Sequence, residues 1–306
     1  MRDFQSAETI VHKIVANNGR AYKNKEKQLV VSQDNKLIQK MSTDEDYSRN
    51  LTKQSFVLDV YQKRLIALML SHVKPNDTEF PVEVIPFNSF MKFMDISDGG
   101  KQYNKIRASI SKLMGMSFCI EPEPGVYEFY HWIASGCRVD TKEKNIYIQL
   151  DSGLKKFLTG RKKNFTRYEI GFIMQLKKKY SCRLYEYLRS MVNIGCVNLN
   201  VDTFSQVITD NKYNRVVDQL RFVIEPALEE INATTDITVS CEEVREEGAT
   251  GKMKTVGYKF HLKEKTHEEK QVIMGTWGIP FDDILMLDEG QRPDFKDLEQ
   301  EPELPF

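Results

Sequence analysis

No apolar run in this 306-residue chain approaches the ~18 residues that a bilayer-spanning helix needs; the best stretch, residues 65–70, is six residues long. The first residues, MRDFQSAETIVHK, are charged and polar early and hold no continuous apolar segment, so they do not read as a secretory signal. The five cysteines, Cys119, Cys137, Cys182, Cys196 and Cys241, are odd in number and widely spaced, with no CxxC pair and no histidine at metal-ligand spacing. They read as reduced core thiols in a cytoplasmic protein. No nucleotide-binding GxxxxGK[ST] is present; the nearest string, GATGKM at 248–253, has the wrong spacing and sits between two strand-like segments. No Ser-His-Asp or Cys-His arrangement follows from spacing either, so neither an enzyme nor a cofactor is expected. What is present is 41% hydrophobic and 29% charged residues, a globular mixture that excludes disorder as a description of the whole chain.

Net charge is zero, but the charges are unevenly placed. Residues 155–189 hold eleven basic side chains against Glu169 and Glu186, net +9. Residues 282–306 hold nine acidic side chains against Arg292 and Lys296, net −7. A basic middle is the electrostatic footprint of a phosphate-binding surface, although any one charge run is ordinarily a solvated face. The acidic tail, with scattered Leu, Ile and Phe, has the composition of a disordered segment or of a peptide that docks on a partner through Leu304 and Phe306.

Along the chain the apolar spacing predicts an arm over 1–28, a strand or domain entry at 29–38, and a helix from Leu58 onward, with Pro75 past its end. The strand VEVIP and a short helix PFNSFMKFM follow, and Gly99 and Gly100 break the chain before a helix over 101–114. After Gly115 the period changes to two: SFCIEPEP, VYEFYHWIASGCRVD and KNIYIQL read as strands. The order then repeats. A helix is predicted over 168–194, then a strand CVNLN, a small helix capped by Asn200 or Asp202, a long helix over 213–232, and two strands around a glycine-containing turn. Two units of about 100 residues with the same element order suggest a duplicated module. Helix, turn, helix and hairpin is the layout of a winged helix, whose last helix enters the major groove of DNA. The expected fold class is therefore α+β: two tandem winged-helix domains of helices and small antiparallel sheets.

Helical phase separates the faces of the two last helices. In the first, Tyr103, Ile106, Ile110 and Leu113 fall inward, while Lys101, Asn104, Lys105, Ala108, Ser111 and Lys112 fall outward. In the second, Val216, Leu220, Val223, Ile224, Ala227 and Ile231 form the buried stripe. Lys212, Asn214, Arg215, Asp218 and Arg221 lie at or near the helix start and face away. Arginine pairs bidentately with guanine and asparagine with adenine, so these five are the base-reading candidates. Pro226 removes a backbone donor inside the pattern and predicts a kink between a groove-facing half and a packing half. Lys162, Lys163, Arg167, Lys177, Lys178, Lys179 and Arg183, with Lys252 and Lys254 at the tip of the second hairpin, are candidates for phosphate contacts.

The stretch FTRYEIGFIMQLKKKYSCRLYEYLRSMVNIG at 165–195, followed by FVIEPALEEINATTDITVS at 222–240, resembles the iteron-binding plasmid replication initiator family. That family carries a K-Y-S-x-R-L-Y-E-x-L helix and a recognition helix running into P-A-x-x-E-I-N. The first half resembles it more loosely, through SQDNKLIQK at 32–40 and the helix around 62–70. It departs in LDVYQKRLI, where the acidic residue usual before the glutamine is replaced. The resemblance implies a first winged-helix domain over 29–158, serving dimerisation and the DNA backbone, and a second over 159–268 as the main DNA reader. An acidic tail over 269–306 follows. It further implies a bacterial, plasmid-encoded protein that binds direct repeats at an origin, helps open the duplex and recruits host replication proteins such as the replicative helicase. Homodimers in equilibrium with monomers, repression of its own promoter and no membrane partner belong to the same implication. Two rival readings share the DNA partner. One is a repressor on the same fold without a replication role. The other is a rolling-circle nickase, which needs a tyrosine nucleophile and a His-hydrophobic-His metal pair; His12, His72, His131, His261 and His267 never form that pair.

Overall fold

A computed structural model describes residues 30–39, 41–42, 56–74, 76–87, 90–91, 100–123, 125–140, 142–159, 165–248 and 251–275, with backbone alone at 30, 41–42, 100–103 and 121–122. The arm at 1–28, the tail beyond 275, Pro75, Gly99, Lys162, Lys163, most of PFNSFMKFM and the side chains of Lys101 and Tyr103 lie outside the described residues.

The chain enters through β1 (Val30–Asp34), α1 (Asn35–Gln39) and β2 (Met41–Ser42). A winged-helix unit follows: α2 (Val60–Ser71), β3 (Glu83–Pro86) and α3 (Gly100–Met114). Two hairpins come next, β4 (Ser117–Glu123) with β5 (Val126–His131), and β6 (Arg138–Asp140) with β7 (Asn145–Ile148). They do not form one sheet. β2 extends the first into the order β2-β4-β5, and β3 extends the second into β3-β7-β6. The short helix α4 (Lys155–Leu158) and β8 (Phe165–Glu169) lead to α5 (Ile170–Gln175) and α6 (Lys179–Arg189). The second unit continues with β9 (Cys196–Asn200), α7 (Val201–Phe204), α8 (Val216–Gln219), α9 (Glu225–Thr234), β10 (Ile237–Glu247) and β11 (Met253–Glu264). A last helix, α10 (His267–Gly275), closes the described chain.

The helix expected over 168–194 is a correction. Its first residues form β8, which pairs antiparallel with β1 from Val30↔Glu169 to Asp34↔Phe165, and the helical stretch breaks between Gln175 and Lys179 into α5 and α6. Alternation in FTRYE accounts for the strand: Thr166 and Tyr168 are buried while Arg167 is exposed. Gly195, at φ 77°, ends the helical run in a left-handed conformation that glycine adopts without steric cost. Gly257 has a different reason, since a Cβ there would stand 2.6 Å from the Leu199 carbonyl oxygen where β11 crosses β9.

Local rules account for the helix starts. Asp59 caps α2 through a reciprocal box, its Oδ1 accepting from Gln62 N at 2.9 Å while Gln62 Oε1 accepts from Asp59 N at 2.9 Å. The same pair holds α3, because Ser109 Oγ donates to Asp59 Oδ2 at 3.1 Å and Gln62 Nε2 donates to the Ser109 carbonyl at 3.1 Å. Asn200 caps α7, accepting from Thr203 N at 2.6 Å.

One apolar core runs through both units, and α6 stands at its centre, with every residue from Tyr180 to Leu188 buried. Its polar side chains are therefore held by partners. Lys63 of α2 meets Glu186 at 2.5 Å, with both side chains under 10% exposed. Gln33 Nε2 donates to Glu186 Oε1 at 2.7 Å, and the Tyr168 hydroxyl also donates to that oxygen. Arg64 reaches the same junction, donating from Nη2 to the carbonyls of Met174 at 2.6 Å and Leu176 at 3.2 Å. Further along α6 the Tyr185 hydroxyl donates to Asp236 Oδ1 and Arg189 Nε to Asp236 Oδ2, each at 2.8 Å. Burial raises the Tyr168 and Tyr185 hydroxyls well above the usual tyrosine range, and Glu186 and Asp236 respectively raise them further, so both phenols stay protonated donors.

Removing one member of a buried ion pair leaves an uncompensated charge, which costs ~3–5 kcal/mol. Lys63→Met should lower the unfolding free energy of the full chain by about that amount in urea titration. Adding Glu186→Gln should recover part of the loss, since no charge is then stranded and the amide oxygen still accepts from Gln33 and Tyr168. Equal stability of Lys63→Met and the wild type would show that the pair holds nothing together.

Candidate nucleic-acid interface

The second unit's long helix begins on a turn shaped by short polar residues. Asp210 and Asn211 both sit at φ 56°, in left-handed backbone that aspartate and asparagine tolerate better than other non-glycine residues. The Ser205 hydroxyl lies 2.6 Å from Asn214 Oδ1 and 2.9 Å from the Tyr213 carbonyl oxygen. Gln219, a polar residue missing from the predicted buried stripe, is fully buried and locks the helix start to the hairpin. Its Nε2 donates to the carbonyls of Tyr213 at 2.8 Å and Val201 at 3.1 Å, and its Oε1 accepts from the Tyr258 hydroxyl at 2.6 Å.

The helix runs through α8, a π turn at Leu220–Ile224, and α9. Pro226 stands in the first turn of α9, and the irregularity predicted from it appears as the π turn just ahead, closed by Glu225 N donating to the Leu220 carbonyl. The wider turn changes the hydrogen-bond register where a proline has no N–H to offer. Of the predicted buried stripe Val223, Ile224, Ala227 and Ile231 are in the core, whereas Val216 and Leu220 are only half-buried. Among the base-reading candidates Lys212, Asn214, Arg215 and Arg221 are exposed, and Asp218, expected to face away, is half-buried.

Arg215 is 81% exposed at its side chain and forked onto Asp218, with Nε to Oδ2 at 2.7 Å and Nη2 to Oδ1 at 3.0 Å. A series of aromatic rings runs from the buried Tyr180 out to the exposed Phe222. Tyr180 meets Tyr213 edge-on at 5.7 Å, and Tyr213 stacks on Phe222 at 5.8 Å. A cation lies over each ring: Lys179 over Tyr180 at 4.6 Å, Lys212 over Tyr213 at 5.2 Å and Arg221 over Phe222 at 5.4 Å. Val217 and Phe222, exposed at 69% and 50%, are apolar members of this face. Sequence reasoning missed both. The available signal was that neither fits the apolar stripe of its own helix.

On α3 the inward and outward faces are as the phase predicts. Ile106, Ile110 and Leu113 are buried, and Asn104, Lys105, Ala108, Ser111 and Lys112 are exposed, with Arg107 a further exposed cation. The two units meet electrostatically at Lys179. Burial lowers its pKa, and the positive charges of Lys212 and Lys112 lower it further. Asp210 and Asp59 act in the opposite sense, so cations from α3 and from the start of the second reading helix, together with two carboxylates, all bear on Lys179 of α6.

The basic stretch at 155–189 is not one surface. Arg183 is a correction to the phosphate set: it is buried, with its guanidinium over the Phe56 ring at 5.2 Å and Nε donating to the Val207 carbonyl at 3.0 Å. Arg189 is engaged by Asp236, and Lys156 bridges to Glu128 at 2.6 Å. Lys177 and Lys178 are exposed, Lys179 is half-buried, and Arg167 is exposed on the β1–β8 ribbon. Lys252 and Lys254 are exposed on the wing, but Lys254 pairs across the hairpin with Glu246. Glu242, Glu243 and Glu247 share that strand, so the wing carries both signs.

Fold and surface together define a tandem winged-helix protein whose second reading helix presents a basic, amide-bearing and partly apolar face. Residues 45–189 match the family model "Initiator Replication protein, WH1", and residues 200–262 match "Initiator Rep protein, WH2". The chain belongs to this family of winged-helix replication initiator proteins. Among solved structures, the Pi initiator protein in complex with iteron DNA is similar over 79% of this chain and 99% of that one, with TM-score 0.56 and 15% identity. A structure of domains 2 and 3 of RctB is similar over 67% of this chain and 80% of that one, with TM-score 0.39 and 14% identity. No curated protein sequence matches the chain. Among the described residues no helix is long and apolar enough to cross a membrane.

Both Arg215 and Lys178 are exposed, and their expected roles differ by place: Arg215 at the start of the reading helix as a base contact, Lys178 ahead of α6 as a phosphate contact. Arg215→Ala should lose discrimination between the protein's own site and random DNA, whereas Lys178→Ala should weaken both alike and lower the salt slope by about one. Titrations of both variants against both duplexes over a salt series check this, and equal effects would contradict the division.

Proposed function

We propose that this initiator binds direct repeats, or iterons, at a plasmid origin as a non-enzymatic DNA-binding protein. The observation that carries the reading is the start of the second reading helix, where Lys212, Asn214, Arg215 and Arg221 stand exposed on a rigid base made by Gln219 and Ser205. Arginine and asparagine at a helix start suit base edges in the major groove, and the surrounding lysines suit phosphates. Family membership and likeness to an initiator solved on iteron DNA support the same reading.

In this account residues 159–268 are the main reader. Residues 29–158 add backbone contacts through Asn104, Lys105, Ser111 and Lys112 and serve dimerisation. The arm at 1–28 and the acidic tail at 269–306 lie outside both. Bound monomers help open the duplex and recruit host replication proteins, including the replicative helicase, and dimers repress the protein's own promoter. The setting is a bacterial cytoplasm.

The test is a footprint of the purified full chain on DNA flanking its own gene, repeated over a salt series. Several evenly spaced direct repeats should be protected, with specific contacts outlasting non-specific ones as salt rises. A single inverted repeat at the promoter would replace the initiator reading with a repressor, and no protection at low salt would end the DNA-binding account.

A further inference from the structure

Val217 is among the most exposed apolar side chains of the described residues, at 69%, and it lies in the first turn of the reading helix among polar and cationic neighbours. It makes no contribution to the core there, and an isolated exposed valine would by itself need no explanation. Its surroundings are what give it meaning. Arg215 precedes it at the N-cap position, Asp218 follows it, and Arg221 lies one turn beyond.

The Arg215–Asp218 fork holds the guanidinium by Nε and one hydrogen of Nη2. Nη1 and the second hydrogen of Nη2 remain as a parallel donor pair, the geometry that matches guanine O6 and N7. An arginine tethered in this way loses less side-chain freedom on binding than a free one. The carboxylate that tethers it is also a negative charge on a phosphate-facing surface, a cost that only orientation of the arginine offsets. Beside this fork an aliphatic side chain has one complementary feature in the major groove, the 5-methyl group of thymine.

We propose that the first turn of this helix reads two base pairs together: a guanine through Arg215, positioned by Asp218, and a nearby thymine through contact of its 5-methyl with Val217. The proposal rests on the DNA-binding reading above and specifies which chemistry that helix selects. Asp218 acts through Arg215 as a positioning residue, and Val217 is a specificity-determining contact.

The experiment uses the full chain and a synthetic duplex of its footprinted repeat. Each thymine in turn is replaced by deoxyuridine, which removes only the methyl, and each guanine by 7-deazaguanine, which removes only N7. At one thymine, loss of the methyl should weaken wild-type binding about fourfold, the value of one buried methyl-sized group. The same replacement should leave Val217→Ala unchanged. Loss of N7 at one guanine should weaken wild type roughly tenfold or more and leave Arg215→Ala unchanged. Asp218→Asn provides a readout that simple charge repulsion would not move. Positioning predicts weaker binding to the repeat together with equal or tighter binding to random DNA, whereas repulsion alone predicts tighter binding to both. Val217 is exposed, so Val217→Ala should fold as wild type does. Repeat binding with no thymine coupled to Val217, or tighter binding of Asp218→Asn to both duplexes, would overturn the inference while leaving the initiator reading intact. Failure of wild type to distinguish the repeat from random DNA would overturn both.

Discussion

The structure depends on a charge that has nowhere else to go. Glu186 sits inside α6, a helix buried along nine successive residues, and its carboxylate is compensated by Lys63 from the first unit, Gln33 from the entering strand and Tyr168 from the ribbon between units. Desolvating a carboxylate costs several kcal/mol, so the group tolerates burial only with all three partners in place. Those partners come from separate stretches of chain, and the arrangement is complete only when both units are docked. Arg64, donating to carbonyls at the break between α5 and α6, ties the same junction by uncharged acceptors. The junction is thus specified by directional polar contacts as well as by apolar area, and such contacts set relative orientation more sharply.

That orientation matters because the two helix surfaces would otherwise be independent. Lys112 at the end of α3 and Lys212 at the start of the second reading helix both bear on Lys179 of α6. Their repulsion of Lys179 is partly offset by Asp210 and Asp59, and in the function proposed above DNA phosphates would relieve the remainder. The ring series Tyr180, Tyr213 and Phe222 gives Lys179, Lys212 and Arg221 fixed seats. Positive charge is therefore held in a defined place by packing, which a solvated lysine run could not achieve. The counterexample lies in the same sequence: Arg183 and Arg189 belong to the basic stretch, yet both serve the interior.

Much of this was legible in the sequence, and what was not has a physical reason. The faces of α3 and of the second reading helix follow from a 3.6-residue period, and winged-helix order follows from helices, turns and period-two segments. Spacing could not show that FTRYE is a strand, because its partner strand lies more than a hundred residues earlier in the chain, at Gln33↔Thr166 and neighbours. It could not separate Arg183 from Lys178 either, since a charge count carries no information on which side of a helix meets another domain. Gln219 was absent from the predicted buried stripe because burial of its amide depends on three partners that spacing does not show, the Val201 and Tyr213 carbonyls and the Tyr258 hydroxyl. Val217 and Phe222 were passed over because an apolar residue off the core stripe acquires meaning only from its exposed neighbours.

The central claim is that the buried junction presents both units to the same stretch of DNA. Ethylation interference on a single bound repeat tests it most directly, by comparing wild type with Lys112→Ala and Lys212→Ala. Each substitution should remove interference at a different phosphate, and both phosphates should lie within one repeat, close together on one face of the duplex. If Lys112→Ala changes no phosphate in a repeat where Lys212→Ala does, the first unit does not share that surface and the account of a jointly held interface is wrong.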